Sequence, residues 1–139
     1  MKKAAFCFFV SIMTILASGC GGSKESSQPQ GSLKTVGCAE FEKIITETQG
    51  VRLIDVRTAK EFAEGHLAGA ENKDVNQGGF GDDMELRKGR KACNVIAVYC
   101  RSGKRSLKAA NILAAKGFTV YDLGGGILAW QREGKEVVK

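Results

Sequence analysis

The chain has 139 residues, of which 43% are hydrophobic, and this length and composition indicate one globular domain with a packed core. The formal net charge is +6, but no run of Lys and Arg exceeds two residues, which excludes the concentrated basic face of a nucleic-acid-binding protein. Five cysteines without a C-x-x-C pair and a single histidine do not make a zinc site. No metal and no other cofactor is expected.

Residues 1–19 have the composition of a secretory signal peptide. A basic start precedes an uncharged apolar stretch, residues 4–17, which is shorter than the roughly 20 residues of a membrane-spanning helix. The small residues before Cys20 resemble the lipobox of bacterial lipoproteins, although Leu16 lies one position further from the cysteine than the family's leucine. The resemblance implies a lipid on Cys20 and a location in the bacterial cell envelope, periplasmic or associated with the outer membrane. The alternative is an ordinary signal peptide that leaves Cys20 free.

Residues 20–32 are expected to form a flexible tether. The stretch consists mostly of Gly, Ser and Gln with the only proline of the chain, and it cannot bury enough apolar surface to fold. It would hold the domain, residues 33–139, off a membrane.

Strand-like and helix-like segments alternate from residue 33 onward. In chain order they are a strand at 33–36, a helix at 39–48, a strand at 51–56, a helix at 58–64, a weaker strand at 70–75, a strand at 95–99, a helix at 106–116, a strand at 119–123 and a helix at 127–133. Thr58 and Glu61 have the capping-box spacing, and one further helical turn is expected at 83–87. The alternation predicts an α/β fold, with a parallel sheet of five strands between helices on both faces.

Cys100 directly follows the most apolar predicted strand, and a helix begins a few residues later. In parallel sheets, ligands bind at the carboxyl ends of the strands. A loop that winds into a helix N-terminus points several backbone N–H groups at one place. Gly103 permits the positive φ of such a turn, and Arg101, Lys104 and Arg105 add positive charge. The sequence therefore predicts a Cys100 thiol of lowered pKa beside a site for an anionic substrate.

Residues 33–138 contain four motifs: Asp55-Val-Arg57 with Glu61-Phe62, Gly-His-Leu-Ala-Gly-Ala at 65–70, Cys-Arg-Ser-Gly-Lys-Arg-Ser at 100–106, and Leu123-Gly-Gly125 with Trp130. In residues and in order these motifs resemble those of rhodanese sulfurtransferases. The resemblance implies a rhodanese-like fold in which Cys100 accepts a sulfane sulfur as a persulfide. The substrate-binding residues expected beside it are Arg101, Ser102, Gly103, Lys104 and Arg105.

The resemblance also implies a small anionic sulfur donor such as thiosulfate, and an acceptor that is cyanide, a thiol or a thioredoxin-like protein. Asp55 and Arg57 are expected to orient the loop without touching the substrate, and Arg57 has the i,i+4 spacing of an ion pair with Glu61. The segment 71–75 is more polar than the apolar strand of the family. This strand is therefore expected to be short or at a sheet edge.

Two other functions stay open. Phosphatases and arsenate reductases of the same fold have five residues between the loop Cys and Arg, whereas four separate Cys100 from Arg105, and this spacing favours sulfur over phosphorus. A non-catalytic or redox persulfide-binding module is the second alternative. Inactive members of the family commonly lack the cysteine, which this chain retains.

Overall fold

The computed structural model describes residues 30–89 and 92–139, which contain a parallel sheet of five strands in the order β1-β5-β4-β2-β3. In chain order the elements are β1 Ser32–Val36, α1 Cys38–Glu47, β2 Arg52–Asp55, α2 Ala59–Glu64, β3 Glu71–Asn72, β4 Val95–Tyr99, α3 Lys104–Ala115, β5 Thr119–Leu123 and α4 Gly126–Arg132. The predicted signal peptide and residues 20–29 of the predicted tether lie outside the described residues. Within the described part, no helix is long and apolar enough to cross a membrane.

β4 lies at the centre of the sheet and is covered on both faces. Alternate side chains of a strand point to opposite faces. Val98 and Cys100 accordingly pack with α3, whereas Ala97 and Tyr99 pack with α1 and α4. Helices therefore cover both faces of the sheet, as the sequence predicts. Phe41 of α1 is among the fully buried side chains.

The polar segment after the second motif forms only a two-residue strand. β3 pairs with β2 at the edge of the sheet, so the short edge strand is confirmed and the longer range of 70–75 is wrong. The capping box of α2 is confirmed, because Thr58 Oγ1 accepts a hydrogen bond from the Glu61 N–H and the Glu61 carboxylate accepts one from the Thr58 N–H.

The helical turn predicted at 83–87 is wrong. Asn94 Oδ1 accepts a hydrogen bond from the Arg87 N–H at 2.7 Å, and Asn94 Nδ2 donates one to the Arg87 carbonyl oxygen at 3.1 Å. These bonds satisfy the backbone of Arg87 without a helix, and Met84 is buried in the core beside α3. A side chain seven residues further along the chain therefore supplies the hydrogen bonds that a helix would have supplied locally.

Candidate active site

Cys100 follows β4 at the carboxyl edge of the sheet and is 1% exposed. The φ of 100° at Gly103 turns the chain so that its N–H donates to Cys100 Sγ at 3.1 Å. Burial raises the pKa of the Cys100 thiol. The Ser106 hydroxyl and the N–H groups of Ser106, Gly103 and Ser102 stabilise the thiolate, and together they outweigh burial and hold that pKa below its ordinary value. The direction agrees with the sequence prediction, but a hydroxyl and backbone groups are its main causes, and the charge of Arg105 adds a smaller attraction.

Ser106 is a site residue that the sequence analysis missed. It lies fully buried in the first turn of α3, and its Oγ donates to the Gly103 carbonyl oxygen at 3.1 Å. Its hydroxyl and its N–H both lower the pKa of Cys100. The signal was present, since Ser106 closes the motif at 100–106, but nothing local shows that its side chain points inward.

The start of α4 holds the loop backbone from the other side. The N–H of Ile127 donates to the Cys100 carbonyl oxygen at 2.9 Å, and the N–H of Leu128 donates to the Arg101 carbonyl oxygen at 3.2 Å. A Cβ at Gly126 would lie 2.5 Å from both carbonyl oxygens, so a residue without a side chain is needed there. The sequence marks this contact only by three consecutive glycines that end at position 126.

Arg105 is paired with a carboxylate. Its Nη1 and Nη2 atoms donate to Glu61 at 2.8 and 2.7 Å, and this hydrogen-bonded pair is the main cause that lowers the pKa of Glu61 to about 2. The ion pair predicted between Arg57 and Glu61 is therefore wrong. Arg57 instead pairs with Asp55.

Asp55 and Arg57 form a buried ion pair in the wall behind the loop. Arg57 Nε donates to Asp55 Oδ1 at 2.9 Å, Arg57 Nη2 donates to Asp55 Oδ2 at 2.6 Å, and Nη2 also donates to the Gly65 carbonyl oxygen at 2.7 Å. The guanidinium lies 5.8 Å from the ring centre of Tyr99. Among the described residues, no hydrogen bond joins Asp55 or Arg57 to residues 100–105.

Two clefts open beside the loop, with volumes of about 210 and 480 Å³. Arg57, Glu61 and Arg101 line the smaller cleft, and Ser102 lines the larger one with Leu128, Gln131 and Arg132 of α4. Of the predicted substrate-binding residues, Gly103 touches the sulfur. Arg101 and Ser102 are exposed in the clefts, and Lys104 is exposed in the first turn of α3. Across residues 30–89 and 92–139, no three His, Cys, Asp or Glu side chains lie close enough together to hold a metal ion.

The family model of the rhodanese-like domain matches residues 38–133 of this sequence, which include the Cys100 loop. The chain is 42% identical over 94 residues to the chloroplastic thiosulfate sulfurtransferase 16 of Arabidopsis thaliana, covering 61% of this chain and 78% of that protein. It is 35% identical over 95 residues to a sulfurtransferase of Allochromatium vinosum, covering 68% and 84%. A rhodanese-related protein from Thermoplasma volcanium has a similar crystal structure, with a TM-score of 0.59 at 27% identity, over 76% of this chain and 97% of that one.

Proposed function

The chain belongs to the rhodanese-like domain family, and we propose on this premise that it carries a sulfane sulfur from thiosulfate to a thiophilic acceptor as a persulfide on Cys100. One observation carries the proposal: a buried thiol whose pKa is held below its ordinary value by hydrogen bonds from Ser106 and from backbone N–H groups. A thiol in this setting reacts as a thiolate.

The first half-reaction transfers one sulfur atom. The Cys100 thiolate attacks the outer sulfur of thiosulfate, the S–S bond of thiosulfate breaks, and its electron pair leaves with sulfite. The product is a Cys100 persulfide. Arg101 is a loop side chain that is basic and exposed in the smaller cleft, and it would attract the dianion and stabilise the charge that develops on sulfite.

The second half-reaction returns the enzyme to its starting state. A nucleophile such as cyanide, a small thiolate or the thiolate of a thioredoxin-like protein attacks the terminal sulfur, and Cys100 leaves as a thiolate. The N–H groups that stabilise the resting thiolate also make it a good leaving group, because they lower its pKa.

The test is the intact mass of the full chain after treatment with thiosulfate. We expect the mass to rise by one sulfur atom in the wild type and in the control Cys93→Ser, and not in Cys100→Ser. Addition of cyanide should remove the extra sulfur and release thiocyanate. Hydrolysis of phosphate esters without a sulfur adduct would instead favour a phosphatase of the same fold.

We further propose that a lipid on Cys20 tethers the domain to a bacterial envelope membrane. The support is the motif around Cys20 and the direction of the sheet. β1 begins at Ser32, at the amino edge of a parallel sheet, whereas Cys100 lies at the carboxyl edge. Five strand residues separate the two edges by about 16 Å. A tether that enters at Ser32 would leave the reactive sulfur facing away from the membrane, toward soluble donors and acceptors.

A further inference from the structure

Asp122 is a buried carboxyl below the active-site loop, and the two half-reactions do not require it. It lies on β5, is 2% exposed, and is in register with Thr35 of β1 and Val98 of β4. Val98 and Cys100 are two residues apart and pack on the same face of the sheet. Residues in register on neighbouring strands share a face of the sheet. Asp122 therefore lies on the face covered by α3, level with Val98 and so two residues before Cys100 in the strand direction.

Only one of the two oxygens of the Asp122 carboxyl has a hydrogen-bond partner. Its Oδ2 accepts a hydrogen bond from Thr35 Oγ1 at 3.1 Å, whereas Oδ1 has no hydrogen-bond partner. A buried carboxylate with an unpaired oxygen is strongly unfavourable, and protonation removes the charge and makes that oxygen a donor. Burial raises the pKa of Asp122, and the nearby hydroxyls of Ser106 and Thr35 oppose this change. The neutral carboxyl needs an acceptor for its proton.

Ser106 lies fully buried in the first turn of α3, the helix that covers the face of the sheet with Asp122 and Cys100, and its hydroxyl lowers the pKa of both groups. A hydroxyl has one proton to donate and two lone pairs with which to accept. The Ser106 proton is directed to the Gly103 carbonyl oxygen in this structure, so the lone pairs of Oγ are available to a donor. Ser106 can therefore accept a hydrogen bond from Asp122. Its one proton points to the Gly103 carbonyl oxygen in this structure and reaches the sulfur of Cys100 when the hydroxyl rotates.

We propose that neutral Asp122 is a positioning residue: its Oδ1–H donates to Ser106 Oγ and thereby directs the Ser106 hydroxyl to the sulfur of Cys100. No proton is transferred along this chain of donors. Each donor polarises the next, so the chain stabilises negative charge on the thiolate and, if the proposed sulfur transfer holds, on the persulfide. An ionised Asp122 would do the opposite, since it would compete for the Ser106 proton and place a negative charge beside the sulfur.

The surroundings of Asp122 favour the neutral form. Thr35 from β1 and Ser106 from α3 are the side chains that act on the pKa of Asp122, and Cys100 is the titratable group that follows β4 on the same face of the sheet. Among the described residues, no cation forms a salt bridge with Asp122. A carboxylate at this position would have no counter-charge.

The experiment follows the alkylation of Cys100 by iodoacetamide against pH in the full chain, which reports thiolate formation without any sulfur transfer. The tryptic peptide 92–101 contains both Cys93 and Cys100, so fragment ions must assign the modified site. We expect Asp122→Val and Ser106→Ala each to raise the midpoint of the pH dependence of Cys100 alkylation by about one pH unit. The double variant should shift no further than either single variant, because both break the same chain.

Two variants serve as controls. Asp122→Asn keeps an N–H donor next to Ser106 and should leave the midpoint within about 0.3 pH units of the wild type. Thr35→Val removes the hydrogen-bond donor to Asp122 Oδ2 but not the proposed bond between Asp122 Oδ1 and Ser106, so it should also leave the alkylation midpoint unchanged. The infrared difference spectrum between the wild type and Asp122→Asn at neutral pH should contain the C=O stretch of a protonated carboxyl, which tests the proposal even if Asp122→Val fails to fold.

Three results would overturn the inference: an unchanged midpoint in Asp122→Val, a lowered midpoint in Asp122→Asn, or a carboxylate band in place of the protonated carboxyl. A lowered midpoint would mean that wild-type Asp122 is ionised and repels the thiolate. The expected shifts without a thiosulfate adduct would support the role of Asp122 and overturn the proposed donor instead.

Discussion

Gly126 lies against the backbone of Cys100, so closely that a Cβ at position 126 would meet the Cys100 carbonyl oxygen at 2.5 Å. The glycine also has a φ of 61°, which L side chains rarely adopt. The reactive loop is therefore fixed by an element that follows it by more than twenty residues in the chain. This contact determines where the carbonyl groups of the loop point, and with them the N–H groups around the sulfur.

Gly126→Ala should destabilise the domain by more than Gly134→Ala. Gly134 has a φ of 72° but open space around it, so its substitution carries only the backbone strain of about 1 kcal/mol. Gly126→Ala adds overpacking against backbone, for a total of about 2–4 kcal/mol. Urea unfolding of both variants measures the difference. Equal losses would show that the contact with Cys100 is not tight in solution.

Glu61→Gln should remove a pH-dependent part of the stability. The pKa of Glu61 is lowered from 4.5 to about 2, so its pair with Arg105 stabilises the fold above pH 4.5, and this contribution is lost as the pH falls toward 2. Because both side chains are about a quarter exposed, we expect about 1–2 kcal/mol at neutral pH.

Urea unfolding at neutral pH and near pH 2 provides the measurement for Glu61. Glu64→Gln, an exposed site on the same helix, is the matched control and should behave as the wild type at both pH values. A difference between Glu61→Gln and the wild type that persists near pH 2 would point to a cause other than the ion pair.

Arg101→Gln should weaken thiosulfate binding without changing the reactivity of the sulfur. Arg101 is exposed in the smaller cleft, and the pKa of Cys100 is set by Ser106 and by backbone N–H groups. We expect KM for thiosulfate to rise about tenfold, the loss of one charge-assisted hydrogen bond. The alkylation midpoint of Cys100 should not move. Lys108→Gln, on α3 but lining neither cleft, is the control and should leave KM unchanged.

Cys93 and Cys100 should not form a disulfide, even in an oxidising compartment. Both are free, and β4 lies between them. The five residues of β4 alone span about 16 Å, whereas a disulfide needs Cα atoms within about 7 Å. Cys38 is buried and free, and we expect it to stay unpaired with Cys100. Non-reducing peptide mapping after oxidation tests both points, and a stable bridge to Cys100 would indicate a redox-gated mechanism.

Cys20→Ser should leave the protein without lipid and release it from the membrane fraction. Cys7→Ser is the control, because it changes a cysteine of the apolar stretch without touching the motif around Cys20. Metabolic labelling with a fatty acid analogue, followed by fractionation, gives both readouts. Membrane retention of Cys20→Ser would indicate that residues 4–17 act as an uncut anchor.

The sequence by itself determined the alternation of strands and helices, the burial of β4 and the position of Cys100 at its carboxyl end. These features depend on the spacing of apolar residues and glycines within a short segment. That spacing is local, so it predicts the element without knowledge of what the segment packs against. The capping box of α2 is local in the same way, since Thr58 and Glu61 are three residues apart.

Only the tertiary structure decided which side chains meet. Glu61 has the spacing to pair with Arg57, yet it binds Arg105, 44 positions away. Asp122 lies below Cys100 because β5 is inserted between β1 and β4, an order that no pattern within a strand encodes. Partner choice depends on how strands are ordered and how helices pack across them. Those contacts form between distant segments, so their energies are properties of the folded domain and not of any stretch of its sequence.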